Sequence, residues 1–156
     1  MDGALVVAIG TPHDGGMDVW GIAAWIVSLV SAAVGGPPCT ELVALDLERT
    51  RALVSTDPAA LTRVYADPRA AAADLTLLEQ YRDRGWLLRG SSMALLGCVV
   101  LTSDDTSARL DVVDRLGPTR VRGDDGTAVR LPRDLPSRRT IDLEQVDGRW
   151  RIAGVA

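Results

Sequence analysis

The strongest constraint on the fold is a change in hydrophobic periodicity at Gly85-Trp86. Before this point, apolar residues recur every three to four positions, which is typical of amphipathic helices. After it they recur at every second position, which is typical of strands with one buried face. We therefore predict helices over residues 40 to 85 and a four-stranded antiparallel sheet over residues 87 to 155. Helices followed by antiparallel strands make an α+β fold, in which the sheet curls around the first helix.

The helical part begins after Pro37-Pro38, and Thr40 is the candidate N-cap of its first helix. The segment TELVALDLERTRALV predicts an apolar face. That face comprises Val43, Leu47 and Val54, with Leu42 and Leu45 widening it. Asp57-Pro58 and Asp67-Pro68 each place a carboxylate N-cap before a proline at the first helical position, so two further helices are predicted to start there. Gly85 then suits the position just after the last helix.

Asp147-Gly148 is a strong signal for a two-residue hairpin turn. With this turn, Glu144 faces Arg151 on a charged side of the hairpin, and Trp150 is predicted to be buried on the apolar side. The predicted pairs are Val146 with Arg149, Gln145 with Trp150, Leu143 with Ile152, Asp142 with Ala153 and Ile141 with Gly154. The segment GDDG predicts a second hairpin upstream.

Residues 1 to 38 differ in composition from residues 39 to 156, and we treat the two parts separately. The run from Val19 to Gly36 contains no charged residue. It is short for a membrane-spanning helix, which needs about 20 apolar residues. A secretion signal requires a positively charged residue before its apolar run, and no arginine precedes this one. Two alternatives stay open: an apolar helix that anchors or exports the chain, or a buried helix packed on the domain or its partner, in which case the protein is cytoplasmic. We favour the membrane-associated or extracytoplasmic alternative.

Composition argues against several classes of function. The formal net charge is −4 and every basic side chain is arginine, without a basic stripe interleaved with aromatic residues, so we expect no nucleic-acid partner. Cys39 and Cys98 form neither a CxxC pair nor a zinc set. They could form one disulfide or remain two buried thiols, and the sequence favours thiols. With His13 the single histidine, we predict no metal site and no cofactor.

Residues 40 to 156 resemble the NTF2-like superfamily, also called SnoaL-like or cystatin-like. The resemblance rests on LDLERTRALVSTDPAALTRVYADP and on the terminal VDGRWRIAGVA. The latter is similar to the last hairpin of many actinobacterial domains of this type, which are often attached to a membrane segment. The resemblance implies a cone with an apolar interior, and dimerisation through the outer sheet face. It implies little about function, because the same cone serves isomerases, hydrolases and protein-binding modules.

Three residues are candidate ligand contacts in such a cone. Asp114 shares strand phase with Leu110 and Val112 in ARLDVVDRL, so its carboxylate is predicted to point inward, where burial would raise its pKa and suit it to general-base work. A structural ion pair is the simpler interpretation of Asp114. Tyr65 and Tyr81 could offer hydroxyl groups to the same pocket. The segment SRR, ending at Arg139, is interpreted as a solvated face.

These observations favour a non-catalytic NTF2-like domain that binds a partner protein or a small apolar ligand. The alternative is a small isomerase-like or hydratase-like enzyme with Asp114 as general base and a tyrosine hydroxyl as electrophile. An open cavity that contains Asp114 and a free hydroxyl would favour the enzyme.

Overall fold

The structure is a computed structural model that describes residues 35 to 156, apart from Ser92 and Arg133. The helices in this range are α1 (Pro37–Ser55), α2 (Pro58–Val64) and α3 (Ala72–Asp83). The strands are β1 (Trp86–Arg89), β2 (Met93–Ser103), β3 (Ser107–Leu116), β4 (Arg120–Gly123), β5 (Ala128–Arg130), β6 (Ser137–Val146) and β7 (Arg149–Val155). The predicted apolar helix over 19 to 36 lies outside the described residues, except for its last two positions. Across the described range, we find no helix both long enough and apolar enough to cross a membrane.

The predicted sheet is present, but it is not the only one. Strands β2, β3, β6 and β7 form a four-stranded antiparallel sheet in that order. The segment from residue 86 to 103 does not make one strand: it breaks at Gly90, whose φ is +66°. The first half, β1, instead pairs with β4, and β4 with β5, in a separate three-stranded sheet. The GDDG hairpin is confirmed as the turn between β4 and β5.

The terminal hairpin confirms most of the predicted register. Asp147 and Gly148 have φ values of +53° and +73°, as a type I′ turn requires, and the pairs from Val146–Arg149 to Leu143–Ile152 form as predicted. Beyond them the prediction is wrong, because Ala153 is an extra residue in β7 and Asp142 pairs with Gly154. Trp150 is half-buried, not fully buried as predicted.

Helix α1 buries only part of the predicted face: Leu42 and Leu45 are buried and Val54 is partly buried, but the face is centred elsewhere. It begins at Pro37, where a missing N–H costs nothing, and Thr40 does not cap it. Its buried side chains include Leu42, Leu45 and Leu53. Val43 and Leu47, predicted to face the core, are 52% and 51% exposed. The apolar residues of this helix are too evenly spread for the 3.6-residue period to select one side.

The other helix predictions are partly right. Asp57 caps α2 by accepting a hydrogen bond from the amide of Ala60 at 2.9 Å. Asp67 instead caps a short turn, and α3 begins only at Ala72. The core fills the space between the helices and the inner face of the larger sheet. Its most buried side chains are Leu61, Val64, Leu110, Val112, Val121 and Leu143.

A disulfide bond joins Cys39 in the first turn of α1 to Cys98 in β2, with Cα atoms 6.1 Å apart. The preference for two free thiols is therefore wrong. The sequence could not decide the pairing, because 59 positions separate the two cysteines and only the packing of α1 on β2 brings them together.

Candidate functional site

A cleft with two lobes lies between α1 and the inner face of the larger sheet. The apolar lobe is a cavity of about 250 Å³ lined mainly by aliphatic side chains from α1, β2, β3 and β6. The polar lobe, about 490 Å³, is lined by three aspartates, three arginines and Tyr65, together with smaller and apolar side chains. Both lobes share five lining residues, which are Leu42, Asp46, Met93, Asp114 and Ile141. Two carboxylates thus stand where the apolar lobe meets the polar one.

Asp114 points inward, as its strand phase predicted. The residue is 5% exposed and follows Leu110 and Val112 on the buried side of β3. Its Oδ1 accepts hydrogen bonds from Arg139 Nη2 at 2.8 Å, from Arg139 Nε at 3.1 Å and from Ser137 Oγ at 3.1 Å. Among the described residues, none donates to Oδ2. One carboxylate oxygen is therefore held in an ion pair, while the other is left to accept a donor from the cleft.

Tyr65 belongs to a hydrogen-bonded cluster in the polar lobe. Its hydroxyl donates to Asp74 Oδ2 at 2.5 Å and accepts from Arg49 Nε at 3.1 Å. Arg49 also donates two hydrogen bonds to the Asp74 carboxylate, from Nε to Oδ2 at 2.5 Å and from Nη2 to Oδ1 at 2.7 Å. Burial raises the pKa of Tyr65; the hydrogen bond to Asp74 and its charge raise it further, while Arg49 opposes this. The Tyr65 hydroxyl therefore already donates its one proton, to Asp74, and has none to donate to a ligand.

Asp46 is the carboxylate with the weakest partner. Its only ion pair among the described residues is with Arg49 Nη1, at 3.4 Å. Burial against the apolar lobe raises the pKa of the Asp46 carboxyl, Arg49 partly offsets this, and the nearby charges of Asp114 and Asp74 raise it further. The site therefore holds one carboxylate that is more readily protonated than an ordinary aspartate.

The other predicted residues lie elsewhere or act differently. Tyr81 is half-buried beside Trp86, with ring centroids 6.3 Å apart, and lines an adjoining cavity that shares Met93 with both lobes but is not lined by Asp114. Within the SRR segment, only Arg138 has the predicted exposed position, where it pairs with Asp111. Arg139 turns inward to Asp114, so the interpretation of this segment as wholly solvated is wrong.

Sequence reasoning missed Asp46, Arg49 and Asp74. A signal for them was present: Asp46 and Arg49 fall four and seven positions after the buried Leu42, on the same helical face. Asp74 likewise lies four positions before the buried Leu78. Charged residues in phase with a buried stripe predict an internal ion pair, but here an incorrect choice of the α1 face concealed the pattern.

Within the described part of the chain, no group of three or more His, Cys, Asp or Glu side chains is arranged to hold a metal ion. The carboxylates of the cleft are instead hydrogen-bonded to arginine, tyrosine and serine. Side chains of these types can also bind and orient polar groups of a small molecule.

Neither a scan against models of protein families nor a search of curated proteins finds a match to the chain. Among solved structures, a protein of cystatin-like fold from Caulobacter vibrioides is 16% identical with a TM-score of 0.48, covering 77% of this chain and 87% of its own. An NTF2-like protein with a cystatin-like fold from Novosphingobium aromaticivorans is 18% identical with a TM-score of 0.47, covering 90% and 89%. Likeness at this level carries no inference about function. The chain's own three described helices and four-stranded antiparallel sheet form an α+β arrangement that is consistent with an NTF2-like cone.

Proposed function

We propose that the protein is a non-catalytic, extracytoplasmic domain of NTF2-like fold that binds a small, largely apolar ligand in the two-lobed cleft. The observation that carries the proposal is the meeting of an apolar cavity with Asp46 and Asp114. Aliphatic walls favour an apolar body. The Oδ2 of Asp114 accepts no hydrogen bond from a described residue and is open to the cleft, so it favours one donor group on that body. The expected ligand is therefore a compact aliphatic or alicyclic molecule with a hydroxyl or amine.

The disulfide supports the extracytoplasmic part of the proposal. Disulfide bonds persist in oxidising compartments and are rare where thiols are kept reduced. The bond between Cys39 and Cys98 also fixes the start of α1, which carries one wall of the cleft, to β2, which carries another. Four expectations from the sequence stay predictions. They are membrane attachment through residues 19 to 36, membership of the actinobacterial type of NTF2-like domain, binding of a partner protein and formation of a homodimer.

A matched pair of probes tests the binding site. Cyclohexanol and cyclohexanone have nearly the same shape, but only the alcohol can donate a hydrogen bond. We expect cyclohexanol to shift the backbone amide signals of residues that line the apolar lobe in an NMR titration, and cyclohexanone to bind more weakly. Leu47→Trp, at an exposed position lining that lobe, should abolish the shifts. Leu101→Trp is the control, because Leu101 is equally exposed on β2 outside the cleft. Shifts that survive Leu47→Trp would contradict the proposal.

General acid–base catalysis is the second candidate, and the raised pKa of Asp46 is the observation that favours it. Catalysis of this type also needs a hydroxyl or similar donor aimed at the developing oxyanion. Tyr65 donates to Asp74, and Tyr81 lines an adjoining cavity that neither Asp46 nor Asp114 lines, which is why binding is the better-supported function.

The two candidates are distinguished by one reaction. A general base in the cleft should accelerate deuterium exchange at the α carbons of cyclohexanone in D₂O, and Asp46→Asn should remove the acceleration. The binding function predicts exchange at the rate of buffer alone.

A further inference from the structure

A second concave site lies on the opposite face of α1 from the cleft. It is a groove of about 630 Å³ bounded by α1, α2 and the β6–β7 hairpin. The α1 residues that line it recur every three to four positions, as one helical face does. They are Glu41, Ala44, Leu45, Glu48, Arg51, Ala52 and Ser55. None of the residues described as lining the groove also lines the cleft, so the two sites are separate.

Four arginines from three elements converge on this groove. Arg51 comes from α1, Arg63 from α2, and Arg149 and Arg151 from β7. Of these four arginines, only Arg151 forms an ion pair within 4.0 Å among the described residues. Its partner is Asp147 at 3.8 Å, and that aspartate side chain is 88% exposed. The guanidinium groups of the other three find no carboxylate within that distance among the described residues, although two glutamates line the same groove.

The groove lining carries four arginines against two glutamates, so it is net positive in a chain whose net charge is −4. Guanidinium groups present planar forks of N–H donors that match phosphate and carboxylate oxygens. Several of them around one concave surface, only partly offset by Glu41 and Glu48, attract anions. Trp150 is half-buried and lines the groove as well, although its indole leaves the opposite face of β7 from Arg149 and Arg151, so the groove has an apolar wall in addition to the arginines. The volume lies within the range of small-molecule sites.

We propose that this cationic groove binds a small organic anion with two or more oxyanion groups, phosphate or carboxylate. The oxyanions pair with Arg51, Arg63 and Arg149, and the body of the ligand packs on the indole of Trp150. This assignment is independent of the ligand proposed for the cleft, because the two sites share no lining residue.

Tripolyphosphate and citrate are the probes, one for each oxyanion class. Titration at low ionic strength should shift the indole N–H signal of Trp150, which Trp150→Phe identifies. Arg63→Gln and Arg149→Gln should each weaken binding about tenfold or more, since each removes a charge-assisted contact. The control is Arg115→Gln, which removes the same charge from an exposed position on β3 outside the groove and should change the affinity by less than about twofold. Raising the salt concentration should weaken binding, and Leu47→Trp should leave it unchanged.

Two results would overturn the proposal. If neither anion moves the Trp150 signal, the groove is not an anion site. If Arg115→Gln weakens binding as much as Arg63→Gln, the anions respond to overall charge and not to the groove. A response to only one probe would keep the site and assign its oxyanion class.

Discussion

Removal of the Cys39–Cys98 bond is expected to destabilise the protein by about 4 kcal/mol at 25 °C. The bond closes a loop across 59 positions, and in the chain-entropy model a cross-link stabilises by restricting the unfolded chain, more so for longer loops. For a folded domain of about 120 residues, a loss of this size lowers the melting temperature by about 15 °C. The double variant Cys39→Ala/Cys98→Ala and the reduced wild-type protein should lose similar amounts.

Urea unfolding followed by circular dichroism measures this effect. Oxidised wild type, wild type in excess dithiothreitol and the double alanine variant are compared, and dithiothreitol should leave the variant unchanged. The slope of free energy against urea should rise on reduction, because the unfolded chain expands. A loss below about 1 kcal/mol would refute the reasoning. So would two titratable thiols in the unreduced folded protein, because they would show that the bond is absent.

Three further predictions concern individual side chains. The pKa of Asp46 is raised above 3.8 in the folded state, so ionisation of this carboxyl lowers the free energy of unfolding as pH rises from 3.8 through the folded pKa. Asp46→Asn should therefore gain stability relative to wild type between pH 4 and pH 7. Melting temperatures of the two proteins measure the difference. Asp74→Ala should destabilise by about 3–5 kcal/mol, because it leaves Arg49 without its main partner, and unchanged urea unfolding would contradict this. Gly148→Ala should cost about 1–2 kcal/mol because of its positive φ, whereas Gly97→Ala, with a nearest neighbour at 3.8 Å and no positive φ, should cost less in the same assay.

The sequence predicted those parts of the fold that depend on local pattern. The change of period at Gly85-Trp86 separates the helices from the strands as expected, and the positive-φ pair Asp147-Gly148 sets the hairpin register. The bulge at Ala153 was not predictable. A bulge places two residues of one strand opposite one residue of its partner, and the alternation of apolar and polar residues in this hairpin does not indicate where that happens. The pairing of β1 with the distant β4 was not predictable either, because it depends on tertiary contacts.

The candidate site was predicted only in part. Strand phase correctly placed Asp114 on the inner face of the larger sheet, and Tyr65 does line the polar lobe beside it. The partners of both depended on which face of α1 is buried, and that helix carries apolar side chains on several faces. Val43 and Leu47 line only the exposed edge of the apolar lobe, and centring the prediction on them hid Asp46 and Arg49, which lie nearer the buried Leu42.

The most direct test of the cleft as a ligand site is the set of nuclear Overhauser effects between cyclohexanol and assigned methyl groups. Bound alcohol should show contacts from its ring protons to the methyl groups of Met93, Val112 and Ile141, which line the apolar lobe. It should show none to Val99, which is 59% exposed and outside the cleft. Contacts to Val99 in place of the lobe, or no contacts at saturating alcohol, would contradict the assignment of the cleft as the binding site.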